Sequence, residues 1–181
     1  MTRPQFAAVA RELRVAGAVG LDTLTAATTR FVEAILAAGD DVVVADALVP
    51  FVPSLLAWGH SSQAIDAFTD GLAEVLAPVG PVLVYLDGSA ETGLERAARR
   101  DGQQWLDAYV SKLARYRVHP SVHDPASAAR YLAHERAVTL AVVQRQGWGL
   151  VLVEHATEMT PDQVLQIAER ELRPWTGTRQ P

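Results

Sequence analysis

The chain has 181 residues, about half of them apolar and a fifth charged, with a formal net charge of −5, which is ordinary composition for one globular domain with a sizeable core. The acidic balance advertises no broad basic surface for nucleic acid. The absence of cysteine excludes disulfides, thiolate metal sites and cysteine nucleophiles. No stretch approaches the ~18 consecutive apolar residues of a membrane span, and the N-terminus lacks a basic-then-apolar signal pattern. The composition therefore reads as a cytoplasmic protein with no nucleic-acid or membrane partner. Its basic side chains are almost all arginine, and Lys112 is the only lysine.

Taken in order, Phe6, Val9, Ala10, Leu13 and Ala16 have helical spacing over residues 5–16. A second helix is expected from Leu21 to Ala38, with Leu21, Leu24, Thr28, Phe31, Ile35 and Leu36 on one stripe and Gly39 at its end. The run Val42 to Asp46 reads as a short buried strand ending in an acid. Pro53 is placed to open a helix through Leu55, Leu56 and Trp58, which Gly59 stops. Ser61 or Ser62 then caps an amphipathic helix with Ile65, Phe68, Leu72, Val75 and Leu76 inward.

Val82-Leu-Val-Tyr-Leu86 is a continuous apolar run of strand length, as expected for a strand covered on both faces. Asp87 ends it, Gly88 and Ser89 turn the chain, and a helix follows to Arg100. In open α/β sheets ligands bind beyond the carboxyl ends of the strands, so the segment from Asp87 to Arg100 is the first place to look for chemistry. Asp101-Gly102 breaks the chain. Trp105, Tyr109, Leu113 and Tyr116 give the next helix an aromatic stripe, which core packing explains better than a base-stacking platform. His119 and His123 have a metal-like spacing only if helical, and Pro120 argues against that, so no metal site is expected. A long helix follows from Ala126 to Gln146, then a buried strand over Leu150–Glu154. Thr160-Pro161 opens a last helix with Val164, Ile167, Ala168 and Leu172 as its buried face. Strands alternating with helices predict a single α/β domain over 1–181: a helical segment at 1–40, a core at 41–173 and a frayed tail at 174–181.

The succession Asp41–Asp46, then Val82–Asp87, then Glu95-Arg96-Ala-Ala-Arg-Arg100, then Trp105–Tyr116 resembles the thymidylate kinase and deoxynucleoside kinase branch of the P-loop kinases. The likeness spans roughly residues 40–172 and lies in pattern and order. It implies a three-layer α/β fold with a parallel sheet flanked by helices, ATP and Mg2+ as cofactors, and a nucleotide or other small-molecule substrate. By the same resemblance Asp46, Arg96 and Arg100 are the catalytic candidates, and Arg99 and Asp87 bind the nucleotide. Arginine suits this work because its planar fork gives two parallel hydrogen bonds to a phosphate. Competing readings are a solvated, dipole-favoured helix end for the arginines and a helix N-cap for Asp46.

Three features depart from that family. The sequence has no Gly-x-x-x-x-Gly-Lys-Ser/Thr, whose backbone N–H groups cradle phosphates, and residue 47 is alanine where the family has arginine. The first strand is missing as well, because residues 1–40 read as helices. The expectation is therefore either an ATP-dependent phosphotransferase represented without its phosphate loop, or a non-catalytic nucleotide-binding or protein-interaction module on the same scaffold. A missing central strand leaves an open sheet edge, which predicts a poorly stable monomer or a homodimer that pairs edges. A hydrolase finds less support: there is no Gly-x-Ser-x-Gly, and the adjacent Glu154 and His155 point to opposite faces of a strand.

Overall fold

The computed structural model describes residues 20–39, 42–45, 51–116 and 120–176. The helix expected at 5–16, the acid Asp46 and His119 lie outside the described residues. Helix α1 spans Leu21–Ala38 and ends at Gly39, whose φ of 69° is the left-handed conformation that glycine adopts freely. Its buried positions are Leu24, Thr28 and Val32, so the inward stripe is rotated from the expected one and Leu36 is exposed. The Thr28 hydroxyl donates to the Leu24 carbonyl at 3.0 Å, which satisfies it inside the core.

Val42–Ala45 form no strand, and Val42, Val43 and Val44 are all exposed, which corrects the strand expected there. An apolar run becomes a strand only when a neighbour takes its backbone groups, and no described segment does so here. Helix α2 spans Val52–Ala57, with Pro53 in its first turn. It starts from Phe51, whose positive φ of 63° is held by a buried ring packed 6.2 Å from that of Phe68. Helix α3 spans Ser62–Leu76; the Ser61 hydroxyl accepts from the Ala64 N–H at its start. Ile65, Phe68, Leu72 and Leu76 recur at three or four residues and are buried.

Strand β1 (Val82–Leu86) and strand β2 (Gly149–Val153) pair in parallel, Val82 against Gly149 through Leu86 against Val153. Three helices fill the crossover between them: α4 (Ala90–Asp101), α5 (Gln103–Ala114) and α6 (Pro125–Gln146). Gly102 separates α4 from α5 with a φ of 90°. Asp124 and Ser127 close a reciprocal capping box at the start of α6. Helix α7 (Pro161–Thr176) opens with Thr160 and Gln163 exchanging hydrogen bonds. It runs past Arg173, where fraying was expected, and Trp175 lies over Gly149 so closely that a Cβ there would meet the ring at 3.0 Å.

The result is a mostly helical chain with a small parallel sheet, compatible with the α/β class. The core sits where α1 and α6 pack on α3 and α2 packs on α6; Val52, Leu55, Ile65 and Leu72 are fully buried there. Trp105 and Tyr109 stack at 5.2 Å against that core. The sheet is less enclosed than expected. Val151 and Val153 are buried under α7, while Val84 and Leu86, which face the same way by register, remain exposed. The hydrogen bonds from Asp87 N to Val153 O and from Gly149 N to Pro81 O set the phase of the ladder. Residues 83, 85 and 87 therefore bond β2, and Val82, Val84 and Leu86 present their N–H and C=O to an edge that no described strand covers. Among the described residues no helix is long and apolar enough to cross a membrane.

Candidate functional site

The carboxyl ends of β1 and β2 open onto a groove lined by Leu86, Gly93, Arg96, Arg100 and Thr157. Its floor is made by a close approach. Gly88 follows β1 and lies so near Thr157 that a Cβ would sit 2.6 Å from Thr157 Cγ2; only glycine fits without displacing that loop. The same approach lets the Ala156 N–H donate to the Asp87 carbonyl at 2.7 Å, tying the two strand ends together. The Thr157 hydroxyl is sealed and has no hydrogen-bond partner among the described residues.

Arg96 and Arg100 lie one turn apart on α4 and border the groove from one side, as a helix places residues four apart. The Arg96 guanidinium donates to the Thr157 carbonyl. Arg100 donates twice to the neighbouring Asp101 carboxylate, at 3.0 and 2.7 Å, and remains largely exposed. Arg99 does not join them: it points away, within 3.9 Å of Glu95. Ser89 caps α4 by accepting from the Thr92 N–H and also donates to Glu91 at 2.9 Å. Glu91 thus already supplies negative charge to the positive end of the helix dipole, and its carboxyl is held below the usual range by its own backbone N–H and by Ser89.

Asp87 is engaged elsewhere. Arg136 of α6 grips it with both prongs, Nε to Oδ1 at 2.5 Å and Nη2 to Oδ2 at 2.6 Å. These bonds from Arg136 are the main reason that the Asp87 carboxyl is held below its ordinary value; the Gly88 N–H and the charge of His155 add to the effect. The only described candidate acid is therefore paired with a cation rather than free to take a proton from a substrate. Asp46, the other, lies outside the described residues. His155 sits in the left-handed region with a φ of 57° and approaches Glu158 at 3.7 Å rather than its neighbour Glu154, so those two adjacent residues do not form an acid–base pair.

The site can hold an anion. Two guanidinium groups line one open groove, which fits a phosphate oxygen set. It fits Mg2+ less well, since among the described residues no group of three or more acidic or histidine side chains converges. Of the residues expected from the sequence, Arg96 and Arg100 border the groove and Asp87 ends β1 in a pair with Arg136; Arg136 and Thr157 were not among the expected residues. Arg136 lies 49 residues beyond Asp87 and carries no local motif. Gly88, next to the strand-end acid, was the one available signal that another segment approaches there. No protein-family model matches the chain, and no curated protein or solved structure matches it.

Proposed function

We propose that the chain binds the phosphate groups of a nucleotide or another small phosphate ester in the groove beyond β1 and β2, on a scaffold of the thymidylate kinase-like type. The observation that carries this reading is the placement of Arg96 and Arg100 on one face of α4, at the mouth of a groove formed by the carboxyl ends of two parallel strands. Phosphoryl transfer asks the protein for positioning and for positive charge around the migrating group. Arg96 and Arg100 would hold the phosphate oxygens and offset that charge. ATP, bound with Mg2+, is the phosphoryl donor in this reading, which makes the protein a nucleoside, nucleotide or small-molecule kinase.

A second reading keeps the binding and drops the transfer. Two observations favour it: Asp87 is neutralised by Arg136, and the sequence carries no glycine-rich loop with lysine, its one lysine being on α5. Both readings predict that ATP binds the groove and that Arg96→Ala and Arg100→Ala weaken it. They separate on turnover. Incubation with Mg2+-ATP and a panel of nucleosides, nucleoside monophosphates and small alcohols, followed by mass spectrometry, yields a phosphorylated product under the first reading and none under the second. The open edge of β1 is the basis for also proposing a homodimer, checked by sedimentation at rising concentration.

A further inference from the structure

A second recess lies away from the sheet, between α2, α5 and α6, and has a different chemistry. Trp58, Tyr109, Tyr116 and Tyr131 line it, with Lys112 and Glu135. Tyr131 and Glu135 are four residues apart on α6 and so share a face. The Tyr131 side chain is 1 % exposed, yet its hydroxyl has no hydrogen-bond partner of good geometry among the described residues. A sealed hydroxyl without a well-formed partner is costly, and the group beside it is the Glu135 carboxyl. No described cation lies within 4 Å of Glu135. Lys112 is on the exposed side of α5, at the rim.

We infer that this recess is a binding site for a monovalent organic cation, a quaternary ammonium or a protonated amine, held by the Glu135 carboxylate beside the aromatic side chains of Trp58, Tyr109 and Tyr116. Aromatic faces are negative at their centres and attract a weakly hydrated cation, most strongly when water is excluded. A carboxylate at the base of such a box supplies the counter-charge, and the Tyr131 hydroxyl donates to that carboxylate once it is fully ionised. An anion could pair with Lys112 at the rim but would meet the Glu135 carboxylate inside. A neutral ring could stack on the aromatics but would leave the carboxylate uncompensated.

The titratable groups facing the recess are Lys112, Tyr109 and Tyr116 from α5 and its end, and Tyr131 and Glu135 from α6; α2 contributes none, and Tyr85 of β1 also feels the Glu135 charge. Burial pushes the Glu135 carboxyl up to about 7, while the tyrosines lining the recess for which a shift is resolved, Tyr109 and Tyr131, move further above neutrality. Affinity for the cation therefore rises as pH passes upward through neutrality and Glu135 loses its proton.

This inference does not rest on phosphate binding, and its test uses no phosphate. Benzyltrimethylammonium is titrated into the full chain by calorimetry at about pH 6 and about pH 8, with benzyl alcohol as the neutral ring. Saturable binding of the cation is expected, stronger at the higher pH, with benzyl alcohol at least about tenfold weaker. Glu135→Gln, which preserves shape, is expected to weaken the cation about tenfold and to remove the pH dependence. Trp58→Leu provides an independent loss from the other wall. Absence of cation binding, equal binding of benzyl alcohol, or a Glu135→Gln chain that binds as the parent does would each overturn the assignment.

Discussion

In the helical layer Val52, Leu55, Ile65 and Leu72 lose all contact with water, whereas on the sheet Val84 keeps 37 % and Leu86 57 % of its surface exposed. The side chains compared are all apolar. They differ in the number of sides from which neighbours arrive. α3 is packed by α1 and α6, but β1 has β2 on one edge and no described strand on the other. Apolar sequence creates the tendency to be buried, and topology decides whether it is met. The polar groups follow the same division. At the sheet ends Arg96 and Arg100 remain near water and can meet a ligand, while Asp87 and Arg136 are paired with each other; Glu135 and Tyr131 of the helical layer are desolvated and shift accordingly.

The largest effect should come from the closed region. Leu72→Ala removes a fully buried side chain between packed helices and should cost about 3 kcal/mol in urea unfolding, against under about 1 kcal/mol for Leu86→Ala. Equal losses would mean that the sheet face is as enclosed as the core.

Glu135→Gln should act in the opposite sense. The folded-state carboxyl is pushed up from 4.5 to about 7, so between those values the unfolded chain releases a proton that the folded chain keeps. Stability is then lost as pH rises through that window, by on the order of 3 kcal/mol for this group. Glutamine removes the penalty. Its melting temperature should exceed the parent's at about pH 8 and match it near about pH 4. A constant difference across pH would show that Glu135 is not desolvated.

Asp87→Asn tests the sheet end. Breaking the bidentate pair with the partly exposed Arg136 should cost roughly 1–2 kcal/mol at neutral pH. Because the Asp87 carboxyl is held below its ordinary value, its contribution is present above the unfolded value of 3.8 and fades as pH falls through the lower folded value. The difference between the two chains should shrink in acid unfolding. Smallest of all, Arg99→Ala should change stability by less than about 0.5 kcal/mol, since its contact with Glu95 is an exposed pair at 3.9 Å. It should also leave ligand binding unchanged.

Much of the helical architecture was legible because its signals are local. Thr160 and Ser61, the latter one of two expected candidates, cap helices, Ser89 caps another, and Gly39, Gly102 and Gly147 end them. The strand expected at Val42–Asp46 was the main structural miss. Its apolar run has strand propensity, but the partner that would use its backbone is a non-local matter that composition does not encode. The inward face of α7 was placed at Val164, Ile167, Ala168 and Leu172, and these residues are half-buried against β2. At the candidate site Arg96 and Arg100 were visible as a basic helix end. Arg136, Thr157 and Glu135 were not, since each matters through a residue or recess far along the chain.

The most direct test of the account is a titration of Mg2+-ATP and of inorganic phosphate into the full chain, followed by the amide and Arg Nε resonances in NMR spectra. The account predicts saturable shifts confined to the segment from Asp87 to Arg100 and to the Ala156–Glu158 turn, with affinity about fivefold weaker or less measurable in Arg96→Ala and in Arg100→Ala, and unchanged in Arg99→Ala. Absence of binding, or binding that survives loss of both Arg96 and Arg100, would contradict it.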